Sequence, residues 1–300
     1  MLERRLLYII NPISGNKKKG ALEELIRNAT AKAELPFEIF PSVASGDYSF
    51  LLPIIAEKEI TDIVIAGGDG TVNQVISALK HTGLRFGILP CGSGNGLALS
   101  AGISRAPEKA LNIIFGGKSQ WTDTFLVNGR FACMLCGIGF DAQVAHDFAN
   151  DPRRGLSTYV RKTVSNFFSA HPHQFTIRSG SRTIEIEAFF ISLANSNQFG
   201  NNFTIAPQAS LTDGMLDVVI VTRQNKLSLL YQTIRQVGGF NHLREIDVVD
   251  EKAAVLYFQT SGIEIHNPSL APLHIDGEPA ETAERLSIEV VKESFQLIYP

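Results

Sequence analysis

The chain has 300 residues, of which 44% are hydrophobic and 19% charged, and its net charge is −3. A chain of this size buries a large core in two domains or one large one. Its slight acidity argues against a nucleic-acid partner, which calls for a clustered basic surface, and the one tight basic run is Lys17-Lys18-Lys19. Three cysteines are too few for a disulfide framework, which points to a reducing compartment.

Cys133 and Cys136 form a C-x-x-C in "FACMLCGIGF". That stretch reads as a strand, on which residues three apart face opposite sides, so buried cysteines are expected rather than a redox or metal pair. The N-terminal "LLYII" is too short for a signal-peptide core and runs into Asn11-Pro12. No apolar run approaches the roughly 20 residues of a membrane span. The expected location is therefore the cytoplasm, with at most peripheral contact at the inner membrane face.

In chain order, the first 120 or so residues alternate two patterns. "RLLYIIN" (5–11) reads as a strand, and 18–33 as a helix with Leu22, Leu25, Ile26 and Ala29 on one face. "FEIF" (37–40) is a short strand, and 47–57 has helical spacing at Phe50, Leu51, Ile54 and Ile55. "DIVIAG" is a strand, 71–80 a helix with Val72, Val75, Ile76 and Leu79 on one face, "RFGILP" a strand, and 94–101 and 107–115 are helical. Unbroken apolar strands in repeated βα units predict a parallel sheet covered on both faces.

Beyond about residue 122 the pattern changes. In "HQFTIRSGSRTIEIEAFFISLAN", Phe175 and Ile177, then Ile184 and Ile186, alternate with polar residues around a turn at Ser179-Gly180, which is a hairpin. "LDVVIV" (216–221), "AVLYF" (254–258), "GIEIHN" (262–267) and "PLHID" (272–276) follow as strands, with one helix at about 226–238. This half reads as antiparallel β. The final "RLSIEVVKESFQLIYP" is strand-like and compatible with a return to the first domain. The expected division is 1–122 with about 281–300 as the α/β domain, and 123–280 as the β domain.

Three glycine-rich or turn-rich segments close the first, third and fourth strands: "NPISGNKKKG", "GGDGTVN" and "PCGSGNGLA". Ligands of open parallel sheets gather beyond the carboxyl ends of the strands, where backbone N–H groups and helix N-termini favour phosphate. Neither common phosphate motif is present. A Walker loop needs Gly-Lys-Ser/Thr, but Ala21 and Leu22 follow Gly20; the dinucleotide fingerprint fails at Asn73 and at Leu97. Asp69, between Gly68 and Gly70, would repel phosphate by ~1 kcal/mol in water and more in a cleft. It makes sense if it holds Mg²⁺ or takes a proton from an attacking hydroxyl, and both roles point to phosphoryl transfer. The plainer alternative is a cap for the following helix. "TDGM" and "IDGE" read as turns, and His146, His171, His173 and His266 have no ligand spacing.

"NPISG", "GGDGTVNQVI" and "GILPCGSGNGLA", followed by "GIGFDAQV", "LTDGMLDV" and "HIDGEP", resemble the diacylglycerol kinase catalytic domain family in order and spacing. That family includes bacterial soluble lipid kinases and eukaryotic sphingosine and ceramide kinases. The resemblance implies an α/β nucleotide domain and a β-sandwich, with ATP and Mg²⁺ as cofactors and a lipid at a membrane surface as acceptor. It places Asn11, Lys17, Ser42, Gly67, Gly68, Asp69, Gly70, Thr71, Asn73 and Ser93 about the nucleotide. Glu278 matches the family's proposed general base, and either Glu278 or Asp69 would accept the hydroxyl proton. Asp213 matches a structural Mg²⁺ ligand, assisted by the carbonyls of Ser210 and Met215, and Asp123 an acid of the metal-linked network. Two departures stand out. Asn16 separates Lys17 from Ser14-Gly15, and Gly96 replaces an Asp of many bacterial relatives, giving a G-S-G-N-G loop nearer the sphingosine and ceramide kinases. A soluble-substrate kinase of the NAD kinase kind and a catalytically silent binding module are the alternatives. A homodimer is compatible with the sequence.

Overall fold

The structure is a computed structural model that describes residues 3–12, 19–149, 170–198, 206–222 and 255–300. Lys17 and the helix expected at about 226–238 lie outside the described residues. The chain divides into two compact units, Met1–Thr122 with Glu293–Pro300, and Asp123–Lys292. The returning segment is therefore shorter than 281–300.

In the first unit, strands β1 (Leu6–Ile10), β2 (Phe37–Pro41), β3 (Asp62–Gly67) and β4 (Arg85–Pro90) are parallel, in the order β2-β1-β3-β4. The end of the last strand continues the sheet beside β4, with Gln296 opposite Arg85. Leu6 to Ile9 and Ile63 to Ala66 are all buried, as strands covered on both faces must be. Helices α1 (Lys19–Lys32), α2 (Leu52–Glu57), α3 (Asp69–Leu79), α4 (Gly96–Ser100) and α5 (Pro107–Gly116) follow successive strands. On α3 the buried side chains include the expected Val72, Val75, Ile76 and Leu79. The stretch 47–57 differs from expectation: only Leu51 of its four apolar residues is buried, and Phe50 is 45% exposed. Its first turn is a 3-10 turn over Ser49–Leu51, which rotates Phe50 away from the face a continuous helix would bury.

Register aligns the strand ends. Ile10 pairs with Pro41 and Ala66, and Gly67 with Pro90, so the segments opening at Asn11, Ser42, Gly68 and Cys91 leave from one edge of the sheet. The opposite edge is held by charge. Asp62, fully buried, receives Arg4 Nε at 2.9 Å and Arg85 Nε at 2.6 Å. Arg4 also donates to the carbonyls of Ile114 and Phe115 at the end of α5, satisfying C-terminal acceptors that the helix cannot.

The second unit is antiparallel. Strand β7 (Leu135–Gly139) and the hairpin β8 (His173–Ser179) and β9 (Arg182–Ala194) are joined by β10 (Leu216–Thr222), β11 (Val255–Thr260) and β12 (Gly262–His266). Strands β13 (Leu273–Ile275) and β14 (Glu278–Ala280) form one edge, and β15 (Arg285–Ile298) pairs β12. Strand β5 (Ser119–Val127) pairs β6 (Arg130–Ala132). The inward residues, among them Phe175, Ile177, Ile184 and Ile186, form one core, giving the β-sandwich-like half that alternation required.

"FACMLCGIGF" is two strands, not one, because the N–H groups of Cys133, Met134 and Leu135 turn to the carboxylate of Asp276. Both cysteines are fully buried, and neither is in a disulfide. Burial, with Asp141 and Asp276 nearby, holds the Cys136 thiol well above its usual range and thus neutral. The helix α6 (Phe140–Ala149) that follows β7 was not expected from the sequence.

The Asp62 cluster gives a stability test. Asp62→Ala leaves two partly buried guanidinium groups without their acid, and urea unfolding should show a loss of about 3 kcal/mol. A change within experimental error would mean that the cluster contributes nothing.

Candidate active site

Three of the four segments at the carboxyl edge of the first sheet are tied to one another. Asn11 extends the β1–β3 ladder through its N–H to the Ala66 carbonyl, and its side-chain amide donates to Thr71 Oγ1 at 2.7 Å. Ser42 continues β2 by donating its N–H to the Ile10 carbonyl. Gly46 lies under the Gln74 side chain of α3.

The "GGDG" and "CGSGNG" loops meet backbone to backbone. A Cβ on Gly92 would fall 2.5 Å from Gly68 Cα, and one on Gly68 would fall 3.1 Å from Gly92 Cα. A Cβ on Gly67 would strike Thr71 at 2.7 Å. These glycines are needed for close approach, since Gly68 itself has φ −95, open to any residue. The contact is latched by Asp69, whose Oδ2 accepts the Asn95 N–H at 2.7 Å. Asn95 holds the left-handed φ of 59 and closes its own loop, accepting the Gly92 N–H and donating to the Gly92 carbonyl. Asn tolerates this conformation better than most side chains.

Asp69 is therefore the first residue of α3, with Gly68 at the cap position, so the plain cap reading does not describe it. The first turn of a helix has no backbone acceptors of its own for its N–H groups, a geometry that favours anions, and Asp69, Gly70 and Thr71 form that turn here. Thr71 is nearly buried, Asn73 half-buried, and Ser93 exposed. Gly96 is buried at the first position of α4, so no carboxylate is offered there. Burial pushes the neighbouring Cys91 thiol up to about 11.

In the second unit, Asp276 and Gly277 join β13 to β14 with Ile275 opposite Glu278. Their φ values of 50 and 82 are the pair of positive angles that a two-residue type I′ hairpin demands, as "DG" led one to expect. Glu278 is exposed on that hairpin. Asp123 is buried; its Oδ2 accepts the Gly214 N–H at 2.7 Å, and its own N–H donates to the Leu211 carbonyl. Asp213 accepts the Met215 N–H at 3.0 Å, and the Ser210 hydroxyl accepts the Thr212 N–H. Ser210, Asp213 and Met215 thus share one loop, and Asp123 of β5 is bonded to it. A carboxylate and main-chain carbonyls are the oxygen donors that a hard divalent cation takes, so the donor types fit Mg²⁺. Against them, the Lys292 ammonium lies 2.7 Å from where a Gly214 Cβ would stand. Among the described residues no three His, Cys, Asp or Glu side chains gather as a metal cluster.

The nucleotide-side candidates Asn11, Ser42, Gly67, Gly68, Asp69, Gly70, Thr71, Asn73 and Ser93 belong to the first unit, and Glu278 and the Asp213 loop to the second. Sequence reasoning passed over Asn95, Asp276, Asp141 and His274. Only the first two left a signal, an Asn among glycines and an Asp in a D-G turn. His274 and Asp141 are both buried and face one another at 3.5 Å. The histidines set aside earlier do bond locally: His146 to the Leu273 carbonyl, His173 to Ser269 and His266 to Glu284.

Comparison with known proteins bears on the whole chain. The model of the diacylglycerol kinase catalytic domain matches residues 5–127, and that of the YegS C-terminal NAD kinase beta sandwich-like domain matches 135–299. "Probable lipid kinase YegS-like" of Shewanella frigidimarina is 26% identical over 259 residues, 84% of this chain and 80% of its own length. "Diacylglycerol kinase" of Bacillus subtilis is 25% identical over 282 residues, 92% of this chain and 90% of its own. A crystal structure of a diacylglycerol kinase from Bacillus anthracis superposes with a TM-score of 0.76 at 18% identity, covering 100% of this chain and 98% of that one, a likeness of fold. With a diacylglycerol kinase catalytic-domain match over the first part of the chain and a YegS C-terminal domain match over more than half of it, the protein belongs to the diacylglycerol kinase family.

Proposed function

We propose that this protein transfers the γ-phosphoryl group of ATP to a hydroxyl of a lipid at a membrane surface. The observation that carries the reading is the clasp between Asp69 and Asn95. It fixes a carboxylate at a helix N-terminus, an end suited to phosphate, where an acid is unfavourable unless it serves a cation or a proton.

On this reading Asn11, Ser42, Gly67, Gly68, Gly70, Thr71, Asn73 and Ser93 line the nucleotide, and Lys17 lies near its phosphates. Glu278 accepts the proton of the acceptor hydroxyl, with Asp69 as the other candidate. The lipid oxygen then bonds to the γ-phosphorus as the bond to ADP breaks. Mg²⁺, when bound, neutralises the charge on the transferring group. Asp69 is the residue that would hold it at the nucleotide. Asp213, with the Ser210 and Met215 carbonyls and Asp123, would hold a second, structural ion. Gly96 and the G-S-G-N-G loop favour a sphingoid base or ceramide over diacylglycerol. Contact with the bilayer is peripheral, and among the described residues no helix is long and apolar enough to cross it. A soluble acceptor such as NAD is the second reading, favoured by the description of the matching C-terminal domain.

Three outcomes are expected. With labelled ATP, a total lipid extract should take up label and NAD should not; label in NAD alone reverses the assignment. Asp69→Asn keeps an acceptor for the Asn95 N–H but loses the charge, so turnover should fall by about 10²-fold or more with little change in melting temperature. Near-normal turnover in that variant would sink the mechanism. Asn95→Ala removes both ties to Gly92, and should cost about 1–2 kcal/mol in unfolding free energy and raise the KM for ATP.

A further inference from the structure

The β13–β14 hairpin is gripped from below by α6. Gly137 of β7 stands directly opposite His274 of β13. A Cβ on Gly137 would come within 2.1 Å of Asp141 Oδ2 and 2.3 Å of His274 Nε2. The missing side chain is thus the space in which the two meet, Nε2 to Oδ2 at 3.5 Å, with side-chain exposures of 0% for His274 and 8% for Asp141. The other carboxylate oxygen of Asp141 accepts the Ala142 N–H in the first turn of α6.

The far side of the ring assigns the tautomer. Gly277 donates its N–H to His274 Nδ1 at 3.3 Å, so Nδ1 bears the lone pair and Nε2 carries the proton, on the ring atom that lies 3.5 Å from Asp141 Oδ2. Turning the ring over would place carbon at both contacts. The same helix takes a second hold one residue earlier, where His146 Nε2 donates to the Leu273 carbonyl at 2.8 Å. On the strand side, Asp276 accepts the N–H groups of Cys133, Met134 and Leu135. Both central residues of the hairpin are therefore anchored, Asp276 through its carboxylate and Gly277 through its N–H, and Glu278 is the next residue.

A buried acid–imidazole pair is weak evidence for stability, because apolar side chains of the same volume often do as well or better. What such a pair provides is direction. The Asp141 carboxylate orients the ring, the ring fixes the Gly277 peptide, and that peptide sets where the Glu278 side chain departs. We propose that Asp141 and His274 are positioning residues that hold the Glu278 hairpin in its proton-accepting geometry, an inference that rests on the general-base reading of Glu278.

The test uses the full chain, labelled ATP, and phosphatidylglycerol vesicles carrying diacylglycerol, ceramide and sphingosine, with kcat, KM for ATP and melting temperature read for each variant. His274→Ala should lower kcat by about 10- to 100-fold, the range seen when a supporting partner is removed, while KM for ATP stays within about twofold. His274→Asn, whose side-chain oxygen can still accept from Gly277, should recover most of that loss. Asp141→Asn keeps the volume and an acceptor but not the charge, and should lower kcat by about threefold to tenfold without a drop in melting temperature. It serves as the deciding variant should His274→Ala fail to fold. An inactive Glu278→Gln alongside unchanged kcat in the Asp141 and His274 variants overturns the positioning role and leaves the general base standing. Equal loss in His274→Ala and His274→Asn at equal stability overturns it as well. An active Glu278→Gln removes the general base itself, and the positioning role with it.

Discussion

The contact on which the candidate site depends is the approach of Gly68 to Gly92. Two loops from different strand ends touch main chain to main chain, at a distance that leaves no room for even a methyl group. Only at that separation can Asp69 reach the Asn95 N–H at 2.7 Å. Hydrogen-bond energy falls steeply with distance and angle, so a shift of a few tenths of an ångström in either loop would break the latch. Glycine at 68 and 92 is required for proximity, whereas the left-handed turn beside them is made by Asn95, a residue with a side chain to contribute. The stretch thus combines a rigid join with bare N–H groups, and a phosphate site needs both: fixed donors and open approach.

The two edges of the first sheet divide the work. At the amino edge, Asp62 is enclosed with Arg4 and Arg85, and Arg4 reaches across to the last carbonyls of α5. Every charge there has a partner within the protein. At the carboxyl edge the pairing is incomplete by construction, because helix N-termini present N–H groups that no backbone carbonyl can meet. Parallel register places all four strand ends level, so the segments that follow them gather on one side.

Most of the fold was legible in the chain, for a physical reason. Buried parallel strands such as Leu6–Ile10 are continuous apolar runs, and the face of α3 repeats at helical spacing, so burial writes itself into the sequence. Where the pattern was weak, reading failed. Phe50 is apolar yet exposed, because one 3-10 turn changes the angular step between residues. Helix α6 carries small and polar residues among its apolar ones, and its burial rests on Ala142, Val144 and Ala145. The break at Cys133 and Met134 was invisible because its cause, the Asp276 carboxylate, is more than a hundred residues away. At the site, glycine loops and D-G turns announced backbone shape. They could not announce which distant side chain each shape would receive, and Gly137, which makes room for Asp141 and His274, looks in sequence like any other strand glycine.

Sorting the acids by what occupies their oxygens separates support from function. Asp62 and Asp276 are buried, and each has its carboxylate committed to arginines or backbone N–H groups. An acid in that state cannot exchange a proton or take up a cation without first dismantling the structure around it. Glu278 and Asp213 are exposed, yet each sits beside a buried acid that fixes its loop: Asp276 two residues before Glu278, and Asp123 bonded to the residue after Asp213. Asp69 stands between the two classes, half-buried and anchored through one oxygen to the neighbouring loop. Reactive carboxylates gain from being reachable and immobile at once, and a side chain cannot easily be both. Here the immobility is supplied by a second, buried acid: Asp276 close by in sequence for Glu278, and Asp123, bonded to the neighbouring Gly214 N–H, for Asp213.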